Sequence, residues 1–238
     1  SPIIRRWYLN AMATWVVGDI HGCADELIQL VNQLRLAPSD QLICVGDLYH
    51  RGPDPVGVAR CLSSVPNLEI VLGNHERVLL EHEARAASLG DKLVQADLAG
   101  DGGTPMSPVT DDEAVELLSL IQNRPLFVQG VHNGQPWIVV HAGVVPGVPL
   151  EQTHPLHLTR LRRIHEMPGQ PYWYELWQGP ELVLFGHTPG KTPRTCFAGG
   201  RLVALGLDTG CVYGGSLTAY CIETEDMEVV QAKRKYVS

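Results

Sequence analysis

The sequence predicts an α/β fold in which two sheets are sandwiched between helices. Three observations lead there. The first third of the chain alternates short apolar runs with segments of helical periodicity, the pattern of a mostly parallel sheet with crossover helices. The second half is rich in strand-like runs separated by turn-forming residues. Five short motifs, GDIHG at 18–22, GDLYHRG at 46–52, GNHE at 73–76, HAG at 141–143 and GH at 186–187, each follow one of the apolar runs.

The elements follow in order. Residues 14–17 are a short β-rich run that ends in Gly18. Residues 24–36 place Leu27, Leu30, Val31 and Leu34 at helical spacing, so this segment is a helix. Residues 41–45 are a second buried-type strand, 56–62 a short helix after a Pro-rich turn, 68–72 a third strand and 75–87 a helix. The stretch GDGGTPMSPVT at 100–110 is polar and turn-forming, a loop or insertion. Residues 111–122 form a helix capped by Asp111, with Ala114, Leu117, Leu118 and Ile121 on one face. Residues 125–129 and 136–140 are strands of a hairpin that turns around Asn133-Gly134. A Pro/Gly-rich loop spans 143–153, a strand at 182–185 ends at Gly186-His187, and 202–207, 217–222 and 227–232 are three more strands. No internal repeat or low-complexity tract interrupts them.

Length and composition fit one globular domain. The chain has 238 residues, of which 45% are hydrophobic and 18% charged, enough for a full core across 12–238. Residues 1–11 (SPIIRRWYLNA) precede Met12 and lack the apolar stretch of a signal peptide. They are expected to be a non-native leader outside the fold. The net charge is −8, so bulk electrostatics do not draw the chain to nucleic acid or to an anionic membrane. An anionic substrate must instead be attracted by local cations. The six cysteines form no C-x-x-C pair and no disulfide-like spacing, which points to reduced thiols and a cytoplasmic setting. No apolar stretch reaches the roughly 18 residues of a membrane helix.

The motifs carry the chemistry. Ligands of open α/β sheets gather at the carboxyl ends of strands. The motifs place Asp19, His21, Asp47, Asn74, His141 and His187 at such ends. Asp19 and His21 are two apart, on one side of an extended chain, and with Asp47 they make ligands for one ion. Asp47 can also bridge to a second ion completed by Asn74, His141 and His187. Mixed oxygen and nitrogen donors suit two divalent ions, manganese first, with iron, zinc or cobalt also compatible. Two ions about 3.5–4 Å apart clamp a phosphoryl group and generate hydroxide near neutral pH. Arg51 suits the phosphate oxygens, and His75 suits protonation of the leaving group. Taken singly, Asp19 reads better as a helix cap, and His141 or His187 as a core histidine. The concordance of five motifs favours the dinuclear site.

These motifs resemble the signature of the phosphoprotein-phosphatase branch of the metallophosphoesterases. MATWVVGDIHGC at 12–23, FGHTP at 185–189 and LDTGCVYGGSLTAY at 207–220 narrow the resemblance to the ApaH-like phosphatases, relatives of the bacterial symmetrical diadenosine tetraphosphate hydrolase. The resemblance implies a β-sandwich of two mixed sheets flanked by helices, with a dinuclear metal site at the strand ends. It puts the metal ligands on the six residues above, the proton donor on His75 and a phosphate-binding arginine on Arg51. A further family arginine falls within LTRLRRI at 158–164, on Arg160, Arg162 or Arg163, with Arg162 preferred. Two positions depart from the protein-phosphatase pattern: His50 stands where that branch has Asp, and Leu72 where it has Arg. ApaH-type enzymes also lack that Asp.

The expectation is a metal-dependent phosphohydrolase that cleaves phosphoanhydrides of dinucleoside polyphosphates, with His75 as general acid. The alternatives are a serine/threonine phosphoprotein phosphatase, an RNA-cap or polyphosphate hydrolase of the same fold, and a non-catalytic metal-binding module. The expected partner is a small phosphorylated substrate, with no membrane and no nucleic acid other than a capped RNA end. The aromatic stretch PYWYELW at 171–177 is expected to pack on the sheet, with nucleobase stacking as the alternative. Tyr49 and Tyr213 are candidates to line the pocket because they adjoin motifs.

Overall fold

The computed structural model describes residues 7–8, 13–88 and 106–237. Its strands are β1 (Trp7–Tyr8), β2 (Thr14–Val17), β3 (Gln41–Cys44), β4 (Leu68–Ile70), β5 (Phe127–His132), β6 (Gln135–Val140), β7 (Leu182–Phe185), β8 (Arg194–Ala198), β9 (Arg201–Gly206), β10 (Ser216–Cys221) and β11 (Met227–Gln231). The helices are α1 (Ala24–Leu34), α2 (Pro55–Ser63), α3 (Asn74–Ser88), α4 (Asp111–Ile121) and α5 (Pro155–Arg160). Most of the loop expected at 100–110 lies outside the described residues.

The strands form two mixed sheets, in the orders β11-β10-β2-β3-β4 and β1-β5-β6-β7-β9-β8. Period-two alternation explains how they stack. Val16, Ile43 and Val45 from one sheet meet Val128, Val139, Leu184 and Leu205 from the other in a single buried layer. The alternate residues Val17, Leu42, Cys44 and Ile70 point outward and are covered by Leu27 and Leu30 of α1, Leu62 of α2 and Leu117 of α4. On the far face Phe127, Val140, Val183 and Phe185 pack on Leu158 of α5 and on Trp173. The expected helix-flanked sandwich is therefore present.

The placement of the site follows from strand direction. Strands β2, β3 and β4 run parallel in one sheet. Strands β6, β7 and β9 run parallel in the other. The carboxyl ends of all six meet along one edge of the sandwich, where Gly18 donates to Thr218 O, Gly186 to His141 O and Leu207 to Phe185 O.

Several local expectations change. The strand β1 pairs in parallel with β5 (Trp7 with Gln129, Tyr8 with Gly130), which the reading of 1–11 as outside the fold did not foresee. Helix α4 is capped by Thr110 rather than Asp111. The Thr110 Oγ1 accepts from Glu113 N at 3.3 Å and the Glu113 carboxylate accepts from Thr110 N at 2.9 Å, a reciprocal capping box. Helix α1 stops at Leu34 because Arg35 takes a left-handed φ of 47°. Helix α5 and strand β8 were not anticipated. The former has only six residues, and the latter is a half-exposed edge strand without an apolar run.

Candidate metal centre

Tight backbone geometry at the strand ends aims the motif side chains. His21, Asp47, Arg51 and His187 all have left-handed φ values, 48°, 53°, 80° and 64°. Such conformations cost non-glycine residues about 1–3 kcal/mol each and persist where surrounding structure holds them. The expectation that Asp19 and His21 share one side of an extended chain is thus corrected: the chain turns at His21. It turns because His21 N and Gly22 N donate to Asp47 O and Leu48 O at 2.8 and 2.7 Å. Two glycines allow side chains to press close. A Cβ on Gly186 would collide with the Asp19 carboxylate, and one on Gly73 with that of Asp47.

The six sequence-predicted ligands come together in two groups that share Asp47. In the first, His21 Nε2 lies 3.6 Å from Asp47 Oδ2 and 3.9 Å from Asp19 Oδ2. In the second, His141 Nε2 lies 3.4 Å from Asp47 Oδ1, 3.1 Å from Asn74 Oδ1 and 3.2 Å from His187 Nδ1. One oxygen of Asp47 therefore faces each group. The tautomers agree with this arrangement. His141 Nδ1 is 2.9 Å from Val45 O and His21 Nδ1 is 3.1 Å from His50 O, so each Nδ1 donates to a carbonyl and each Nε2 is turned toward Asp47. The Asp19 carboxylate is held by His187 N, 3.1 Å from both oxygens.

Electrostatics point to cations. Asp19, Asp47, Glu76 and Asp208 are all buried around this point. Burial, then the neighbouring Asp208, raises the Asp19 carboxyl well above the ordinary range. Burial and the Asp47 charge push Asp208 up to about 6 and Glu76 to about 7, against backbone hydrogen bonds that lower them. Burial opposes ionisation of Asp47 too, yet His141 and His75 beside it hold it well below the usual value. Burial depresses His21 to about 3 and His187 to about 2, leaving both imidazoles neutral and able to ligate. Burial also works against a charged His141, but Asp47 outweighs it and lifts that group to about 9. Crowded carboxylates and neutral imidazoles in a dry pocket are a donor set that fits two divalent ions.

The remaining predicted residues divide. His75 is buried, its Nε2 3.9 Å from Asp47 Oδ2, with its ring edge-on to His21 at 5.4 Å. The His50 ring lies 4.8 Å from it. Arg51 Nη1 is 3.3 Å from His21 Nε2 and donates to Tyr213 Oη at 2.8 Å. Of the candidate arginines, Arg162 lies beside the centre, donating twice to His187 O at 3.1 and 2.8 Å. Arg163 instead lies over Tyr172 at 3.8 Å and donates to Gln170 O. Tyr213 adjoins the centre through Arg51, but Tyr49 does not line it: that side chain is fully buried and donates to Leu117 O. Leu72 is buried in the helix-covered core layer. Within 171–177, Trp173 and Tyr174 pack on Phe185, the expected sheet contact.

Two residues escaped the sequence reading. Glu76 accepts from Asp47 N, Leu48 N and Gly73 N at 2.8, 2.8 and 3.0 Å, clamping two of the loops together. It is the last letter of GNHE, and its signal was present but read as helix. Asp208 is buried beside Asp19 and accepts from Gly210 N at 3.1 Å. Its signal was the DTG of 208–210 after a strand.

A helix-flanked sandwich with a shared carboxylate between two imidazole groups is the form of a metal-dependent phosphoesterase. The comparisons with known proteins agree, because residues 12–215 match the calcineurin-like phosphoesterase family. The chain belongs to that family, whose members use divalent metals, and is a hydrolase acting on phosphate esters or anhydrides. It is 29% identical to the symmetrical bis(5'-nucleosyl)-tetraphosphatase of Salmonella paratyphi C, over 91% of this chain and 93% of that protein. It is 32% identical to serine/threonine-protein phosphatase 1 of Salmonella typhimurium, over 88% and 91%. A crystal structure assigned as a diadenosine tetraphosphatase superposes with a TM-score of 0.75 at 27% identity, covering 96% of this chain and 97% of that one. No helix among the described residues is long and apolar enough to cross a membrane.

Two outcomes follow from this geometry. In metal-free protein the His141–Asp47 pairing contributes stability that is fully present below the ordinary histidine value of 6.5 and lost as pH rises through about 9. A cation at the second group competes for the same Nε2. Manganese titrated at pH 7 is therefore expected to release protons, with affinity climbing between pH 7 and 9. Calorimetry in two buffers of different ionisation enthalpy measures this, and a pH-independent affinity without proton release contradicts it. The second outcome concerns Glu76→Gln, which leaves buried N–H donors facing an amide. It is expected to cost about 3 kcal/mol, read from the urea midpoint, and to lower manganese occupancy. Unchanged stability and occupancy would show that the clamp is dispensable.

Proposed function

We propose that this chain hydrolyses phosphoanhydride bonds of dinucleoside polyphosphates of the diadenosine tetraphosphate type. Asp19, His21 and Asp47 hold one divalent ion, and Asp47, Asn74, His141 and His187 a second, with manganese the first choice. When bound, the two ions supply Lewis-acid charge neutralisation and a water of lowered pKa. Arg51, beside His21, and Arg162, beside His187, orient phosphate oxygens. His75 holds a proton at Nε2 for the leaving oxygen. The observation that carries the reading is the Asp47 carboxylate, with Oδ2 3.6 Å from His21 Nε2 and Oδ1 3.4 Å from His141 Nε2.

The choice of an anhydride rests on positions 50 and 72. A histidine ring 4.8 Å from His75 supplies no fixed negative charge to hold a proton there. Leu72 packs in the core and adds no cation. A site with weaker proton donation suits a good leaving group, and a phosphoanhydride has one. The name of the Salmonella paratyphi C relative supports the same substrate. A serine/threonine phosphoprotein phosphatase is the second reading, favoured by the Salmonella typhimurium relative at 32% identity.

Product analysis decides between them. Manganese-loaded protein is expected to convert diadenosine tetraphosphate to ADP alone. AMP plus ATP moves the cleavage register, and turnover restricted to a phosphopeptide replaces the proposal with the second reading. His75→Ala is expected to lower kcat by about 10²–10⁴-fold while metal content stays the same. A variant with undiminished kcat removes His75 from the mechanism.

A further inference from the structure

A cavity of about 450 Å³ adjoins the metal centre, and its walls include Arg51, Ser107, Arg234, Lys235 and Tyr236. Among the described residues no acidic side chain lines it. Three cations thus converge on one hollow of a chain whose net charge is −8. Arg51 connects the two spaces, since its Nη1 is 3.3 Å from His21 Nε2.

The C-terminal segment that brings Arg234 and Lys235 is tied down. Glu26 of α1 is almost fully buried, and its Oε1 accepts from Lys233 N at 2.8 Å and from Tyr236 Oη at 2.7 Å. Tyr236 N and Val237 N donate to Val212 O at 3.0 and 3.3 Å. Val212 sits four residues beyond Asp208, so the segment is fastened to the same loop that flanks the metal centre. Lys233 is paired with Asp25 at 2.6 Å. Among the described residues Arg234 and Lys235 form no ion pair; the Arg234 guanidinium lies 5.2 Å from the Tyr236 ring. These two side chains line the cavity, Arg234 also bordering a neighbouring hollow with Asp25, Glu26 and Asp54.

We propose that this cavity is a subsite for the phosphates beyond the bond being cleaved, gripped by Arg234 and Lys235, with Arg51 shared between it and the metal centre. The inference rests on the phosphohydrolase reading of the adjoining site and makes the C-terminal segment a determinant of specificity. A polyphosphate chain carries about one negative charge per phosphate and needs cations along its length. A simple monoester ends at the metal centre and does not reach the segment.

The test uses manganese-loaded full chain with p-nitrophenyl phosphate as reporter and inorganic tripolyphosphate or orthophosphate as inhibitor. In Arg234→Gln/Lys235→Gln the Ki for tripolyphosphate is expected to rise about tenfold or more. The Ki for orthophosphate and the kcat/KM for the aryl phosphate are expected to stay within about twofold. The KM for diadenosine tetraphosphate should rise with the tripolyphosphate Ki, and Arg234→Lys/Lys235→Arg should restore both. An unchanged tripolyphosphate Ki overturns the subsite while leaving the phosphohydrolase reading intact. Wild-type protein that turns over neither compound overturns that reading instead. Calorimetric titration of tripolyphosphate then still reads the subsite, and equal affinity in wild type and double variant removes it.

Discussion

The Asp47 carboxylate must offer one oxygen to each of two groups of donors, and much of the surrounding chain serves that requirement. Its backbone sits at a φ of 53°, a conformation that costs a non-glycine residue energy. The offset comes from Glu76, whose carboxylate takes the amides of Asp47, Leu48 and Gly73. Hydrogen bonds to a buried charged acceptor are among the stronger ones available to a protein. Gly73 is bare because a Cβ there would strike the same Asp47 oxygen that faces the second group. Helix α3 begins at Asn74, and its His75 N lies 3.3 Å from Asp47 Oδ1, so the positive end of a helix also favours the ionised carboxylate.

The sandwich explains why two groups exist at all. One sheet delivers Asp19, Asp47 and Asn74 from three parallel strands, and the other delivers His141, His187 and Asp208 from three more. The first group, Asp19, His21 and Asp47, comes from one sheet alone, whereas the second joins Asp47 and Asn74 of that sheet to His141 and His187 of the other. The apolar layer between them, with Val16 and Ile43 meeting Val139 and Leu184, sets the distance across which His141 reaches Val45 O and Asn74. Packing in the core is thereby translated into the spacing of donors, and a change of one methylene in that layer would be felt at the site.

Much of this was legible in the residue order. The five motifs name all six candidate ligands together with Arg51 and His75, because strand ends followed by glycine and a short polar residue leave a local signature. The parallel strands and main helices are legible for the same reason, as their apolar periodicity is strong. What escaped depends on tertiary contact. Glu76 looks like an ordinary first-turn helix residue until the loop of Asp47 is folded against it. Asp208 looks like a turn residue until the second sheet brings it to Asp19. Strand β8 and the short pairing of Trp7–Tyr8 lie at sheet edges, where half-exposed side chains carry no clear alternation. The choice among Arg160, Arg162 and Arg163 could not be made from the sequence. In the fold Arg162 turns to His187, while Arg163 covers Tyr172.

Electrostatics connect the centre to the surface around it. An acidic chain gathers buried carboxylates at one edge and sets Arg51, Arg162, Arg234 and Lys235 about the opening, so attraction for anions is local rather than global. All of it presupposes two cations sharing Asp47. Electron paramagnetic resonance of the protein loaded with two manganese ions tests that sharing most directly. Ions bridged at about 3.5–4 Å are expected to give an exchange-coupled spectrum that collapses to isolated ions in Asp47→Asn. A wild-type spectrum of two uncoupled six-line signals would contradict the account, because it would place the ions too far apart for one carboxylate to join.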